Sequence, residues 1–227
     1  MKKYLLFLLV LLAACPAFSA TRFYLPSSGT PEISPTPSTS WDRTTDMDRV
    51  RCTINKFYTV SASKTSTTNA TLGTYDNFVT RQYISNPIGA QTISGYVSGE
   101  IRVSESSGNA NAERAVIIRV FSKNGATSRG TLLSTLNGGS EYNTSLRNLY
   151  FPARIALTTV TSESGDRIVI EIGTYARGYF YSSYTITHSF GDDNASDLPV
   201  NQTETNAYNP WIEFSQDIRF PGVRYIK

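Results

Sequence analysis

Ile168-Val169-Ile170-Glu171-Ile172 sets an isoleucine at every second position, with Val169 and Glu171 between them. A period of two marks a strand, because successive side chains of an extended chain point to opposite faces. The pattern recurs in both directions. Val116, Ile118 and Val120 alternate with Ile117, Arg119 and Phe121, and Ile93, Val97, Ile101 and Val103 share one parity with Gly95 and Gly99 between them. Strands are predicted near 49–63, 75–84, 91–105, 113–122, 131–137, 149–160, 167–176, 179–190 and 211–220, each with one face inward. The joints carry turn residues: Asn86-Pro87, Ser107-Gly108-Asn109, Asn124-Gly125, Asn137-Gly138-Gly139, Ser164-Gly165-Asp166 and Arg177-Gly178. Asn and Gly supply the positive φ that tight turns need. Helical periodicity is confined to a short candidate at 69–77. About nine strands at short spacing predict an all-β fold: a single antiparallel β-sandwich over 49–227, jelly-roll-like, with an up-and-down barrel as the competitor.

Composition agrees. Among 227 residues there are 14 Tyr, 11 Phe, 27 Ser and 27 Thr, which suits pleated, half-buried surfaces. Only 17% of residues are charged, which excludes a coiled coil, and the recurring Ile, Val and aromatic residues argue against disorder.

The chain opens Met1-Lys2-Lys3, followed by an unbroken apolar run from Tyr4 to Ala14 and then small residues. A positive start, a short apolar stretch and small residues read as a secretory leader over 1–20. The run is too short for a spanning helix, which needs about 20 apolar residues. Ala17-Phe18-Ser19 suits cleavage after Ser19. Leu12-Ala13-Ala14-Cys15 also resembles a lipobox, with Cys15 as the acylated residue and a membrane anchor as the result. Both routes predict export to the extracellular space or cell envelope. Both also leave Cys52 as the one usable thiol, so no internal disulfide can form. Cys52 shares the parity of Val50 and Ile54 and is expected to be a small buried hydrophobe.

Losing Lys2 and Lys3 leaves 19 Lys and Arg against 18 Asp and Glu, a net charge of +1. The remainder contains no basic block, so no nucleic-acid partner is expected. Residues 21–48, with Pro26, Pro31, Pro35 and Pro37, form an extended Pro/Ser/Thr-rich arm, either free as a linker or packed on the sheet.

Catalytic parts are sparse. One histidine, His188, cannot build a multi-histidine metal site, and it is read as a strand residue with a satisfied partner. Nucleophile elbows of the Gly-x-Ser-x-Gly kind are absent from the sequence. Asp192, Asp193, Asn194 and Asp197 form the densest oxygen-ligand loop, which calcium could occupy; an acidic surface turn is the alternative. Tyr175, Tyr179, Phe180, Tyr181 and Tyr184 surround Arg177-Gly178. Tyr179, Tyr181 and Tyr184, with Asp192 and Asp193, are the candidate ligand-binding set, since flat apolar faces beside oxygens serve sugar and protein recognition alike. Trp41 and Trp211 are expected to be packing anchors.

Arg22-Phe23-Tyr24-Leu25-Pro26-Ser27-Ser28-Gly29, then Ser34-Pro35 and Trp41-Asp42, resemble the opening of a group of uncharacterised phage and environmental-virus proteins. Gly165-Asp166-Arg167-Ile168-Val169-Ile170-Glu171-Ile172-Gly173, Asp197-Leu198-Pro199 and Asn209-Pro210-Trp211-Ile212-Glu213-Phe214-Ser215 resemble later parts of it. The resemblance implies a virion-surface or host-contact β-sandwich, with no family catalytic residue to transfer. The leader departs from that group and favours a cell-envelope or secreted setting.

The expected function is that of a non-enzymatic, exported or virion-surface β-sandwich with a structural or adhesive role, meeting a cell-surface glycan or protein through its loops. The alternative is a carbohydrate-binding module of a secreted protein or lipoprotein. A hydrolase or lyase on the same scaffold would need paired, converging carboxylates in a cleft.

Overall fold

The computed structural model describes residues 20–45, 47–56, 61–68, 76–135, 140–176, 183–191, 196–200 and 209–222. These residues form fourteen strands: β1 (Thr21–Tyr24), β2 (Asp48–Arg51), β3 (Ala62–Thr67), β4 (Asp76–Ile84), β5 (Gln91–Ile93), β6 (Tyr96–Glu105), β7 (Ala112–Phe121), β8 (Ser128–Thr135), β9 (Arg147–Tyr150), β10 (Ile155–Ala156), β11 (Val160–Ser162), β12 (Arg167–Ala176), β13 (Thr185–Phe190) and β14 (Trp211–Phe214). The all-β, sandwich-like class is as expected, but the number of strands is higher. Long runs break where the backbone cannot stay extended. The run over 91–105 divides at Gly95, whose φ is +90°. The run over 149–160 becomes β9, β10 and β11 because Pro152 removes a donor and Arg154 has φ 43°.

One sheet has the order β2-β4-β12-β7-β8, antiparallel except for the parallel β2–β4 pair. The other is built along β6. On one side of it β13 pairs with Arg102–Glu105 and β14 with Val97–Glu100, end to end; β9 and β10 share the other side in the same way. β3 flanks β13, and β1 flanks β14, so the first and last strands pair, Thr21 opposite Phe214. A small β5–β11 pair stands apart.

Between the sheets lie Ile168, Ile170 and Ile172 of β12, Val116, Ile118 and Val120 of β7, Val97, Ile101 and Val103 of β6, and Ile186, Phe190, Ile212 and Phe214. All are buried, each worth about 1.5–3 kcal/mol on leaving water. Cys52 and Val50 join this core, whereas Ile54, past the end of β2 in a bend, is exposed.

The five-stranded sheet is buried on its second face as well, which alternation alone does not predict. The arm after β1 covers it. Trp41 and Met47 pack on Val79, Ala115 and Ile117, and Ile33 packs on Ile84, Phe121 and Val169. The arm's backbone is held too: Arg51 N donates to Gly29 O at 2.9 Å, and Asp42 N and Arg43 N donate to Asn77 O. Glu171, the polar residue in the deciding stretch, sits under this cover, fully buried. It accepts from Trp41 Nε1 at 2.7 Å, Gln82 Nε2 at 2.9 Å, the Ser38 amide at 3.2 Å and the Arg119 guanidinium. Four donors offset the cost of burying its charge. Trp41 and Trp211 are buried packing residues; the Trp211 indole donates to Leu198 O at 2.9 Å.

Candidate binding cleft

Of the residues singled out in the sequence, Cys15, Tyr179, Tyr181, Asp192, Asp193 and Asn194 lie outside the described residues. Tyr184 is half-buried at the start of β13, packs against the core and donates its amide to Thr68 Oγ1 at 2.9 Å. Tyr175 packs beside Trp41. Asp197 stands by β1 and β14, in a different part of the sheet from Tyr184. Its carboxylate meets Arg22, Lys56 Nζ at 2.6 Å and the Tyr24 hydroxyl at 3.2 Å. Burial pushes this carboxyl up, but Lys56 and Arg22 outweigh it and hold it below the usual range. Arg22 also reaches Glu213 and lies 4.0 Å from the centre of the Trp211 ring. Two cations already balance Asp197, so this carboxylate acts as an ionic clasp.

His188 is buried between the sheets. Its Nε2 is 3.4 Å from both the Tyr142 hydroxyl and Thr174 Oγ1, and its ring stacks on Phe190. Burial, and then Arg81, lower its pKa to about 3, so the ring is neutral and acts in packing. Burial pushes the Glu105 carboxyl up to about 7, the Glu141 charge adds to the rise, and Glu105 Oε2 accepts from Ala112 N at 3.1 Å.

A second region, not singled out by sequence, has the geometry of a binding site. A cleft of about 620 Å³ is lined by Thr92, Ser94, Gly95, Tyr96, Ser215, Gln216, Asp217 and Arg219. It forms where the β5–β6 turn meets the chain leaving β14. Reciprocal bonds pin the two. Gln216 Oε1 accepts from Ser94 N at 3.0 Å while its Nε2 donates to Thr92 O at 2.7 Å. Ser215 Oγ accepts from Tyr96 N at 2.9 Å, and Gln91 bonds both the amide and the carbonyl of Arg219. Gly95 is required here, since a Cβ would sit 2.6 Å from Ser215 Oγ.

Tyr96 is 48% exposed, and the Arg154 guanidinium lies 5.4 Å from its ring centre. Ile218 is fully buried, its amide donating to Thr21 Oγ1 at 2.7 Å. Asp217 and Arg219, on either side of it, both line the cleft. Their side chains have no hydrogen-bond or ion partner among the described residues. Two smaller clefts adjoin. One is lined by Ala20, Tyr24, Ile54, Asp217 and Phe220, the other by Ala20, Tyr96, Arg154 and Glu213. The arrangement offers an aromatic plate, an acceptor and a donor on a rigid frame, which suits binding. Sequence reading passed over Tyr96 because it sought dense aromatics; Ser94-Gly95-Tyr96, an aromatic directly after a turn glycine, was the available signal.

No protein-family model matches the chain, and no curated protein matches it.

Proposed function

We propose that the protein is a non-enzymatic, exported β-sandwich with a structural or adhesive role, making surface contacts through the Tyr96 end of the fold. The observation that carries this is an exposed aromatic on a pinned frame beside a carboxylate and a guanidinium whose side chains have no partner among the described residues. The leader supports export, and the resemblance to phage and environmental-virus surface proteins supports a host-contact or virion-surface setting. The test is binding of fluorescent protein to intact cells of the producing or host species. Tyr96→Ala should lose most of the binding with an unchanged melting temperature. Full binding by that variant would refute the site.

A further inference from the structure

We infer that the Tyr96 cleft takes a neutral saccharide, a pyranose ring presenting vicinal hydroxyls; this rests on the surface-contact reading above and names its ligand. A sugar hydroxyl both donates and accepts. Asp217 can only accept and Arg219 can only donate, and both reach the cleft from the short segment that follows β14. Two vicinal hydroxyls can donate to the two oxygens of one carboxylate while the guanidinium donates to a hydroxyl oxygen. The C–H face of the ring then covers the exposed part of Tyr96. Within the cleft lining the charges of Asp217 and Arg219 cancel, and Arg154 beside Tyr96 is a further donor.

Among the described residues, the large exposed apolar side chains are Ile54, Tyr96, Tyr150 and Val200, and of these Tyr96 lines the cleft. A stable protein contact covers about 800 Å² per partner around packed apolar anchors, more than one ring offers. A sugar needs one aromatic plate and a few convergent polar groups. The frame is already held by the Gln216, Ser215 and Gln91 bonds, so little ordering is needed on binding.

The experiment is a glycan array of neutral and acidic oligosaccharides probed with the leader-free chain, followed by titration of any hit. Neutral glycans should bind, and periodate, which cleaves vicinal diols, should abolish the signal. Tyr96→Ala and Asp217→Asn should each weaken binding at least tenfold, with melting temperatures near wild type, while Tyr150→Ala binds normally. A hit that survives Asp217→Asn unchanged overturns the assignment of the hydroxyl acceptor. If cell binding depends on Tyr96 but persists on periodate-treated cells and the array is blank, the ligand is a protein; the saccharide inference fails and the surface-contact reading stands. If cell binding ignores Tyr96, both fail.

Discussion

The indole Nε1 of Trp41 lies 2.7 Å from Oε2 of Glu171, joining residues 130 positions apart across the outer face of the five-stranded sheet. The carboxylate is the meeting point for the arm, β4 and β7, through Ser38, Gln82 and Arg119. Glu171→Ala should therefore cost about 3–5 kcal/mol, because Arg119 is left charged and buried without its partner. Trp41→Phe keeps most of the apolar contact and loses one donor, so its cost should be nearer 1 kcal/mol. Urea unfolding of both variants reads this difference. Equal costs would show that the arm is held by apolar contact alone.

Glu100 is buried on β6, with both carboxylate oxygens unpartnered among the described residues. Burial pushes its pKa up from 4.5 to about 8. The folded state thus holds a proton that the unfolded state has released, and stability falls as pH rises between those values. Glu100→Gln should match wild type near pH 5 and exceed it by at least about 1 kcal/mol at pH 8, as read by melting temperature. Glu105, pushed up to about 7, has the same sign, so part of the decline will remain in the variant. A wild-type advantage at pH 8 would mean that the charge is compensated.

His188 acts in the opposite direction. Its folded pKa, lowered from 6.5 to about 3, leaves the unfolded chain as the form that takes up protons between those values. Stability is lost as pH falls below 6.5, by up to about 1.4 kcal/mol per unit. His188→Gln should be less stable than wild type at pH 7.5, and that gap should narrow by pH 4.5. A constant gap would mean that the ring is charged in the fold.

Cys52 is fully buried, and burial raises its thiol pKa far above the ordinary value. Maleimide should fail to label the native protein and should label it fully in denaturant. Cys52→Ser should cost about 1–3 kcal/mol for a hydroxyl without a partner. Rapid native labelling would place the side chain outside the core.

Strand class was legible because alternation is local: β12 occupies 167–176, where the Ile168-Ile170-Ile172 pattern placed it. Breaks at Gly95 and Pro152 were harder to read, since each sits inside a run that stays apolar on both sides. The second buried face was illegible for a clear reason. Glu171 and Arg119 look like solvent-facing residues, and only long-range pairing shows that each partners the other beneath the arm. Tyr96 escaped notice similarly, because its setting is made by Ser215 and Gln216, about 120 positions away in sequence.

Ala20 lines the two clefts that adjoin the Tyr96 site. For the leader proposed over 1–20, that position makes its fate a question of tether length. Ala20 lies five positions after Cys15, at most about 18 Å of extended chain. Acylation of Cys15 would hold this end of the sandwich within one short tether of the bilayer, where headgroups would crowd the cleft and large polymers could not enter. Cleavage after Ser19 instead frees the same end. Lipid anchoring and open access to a bulky glycan are therefore opposed outcomes for one molecule, and palmitate labelling abolished by Cys15→Ser would tell which of them the cell has chosen.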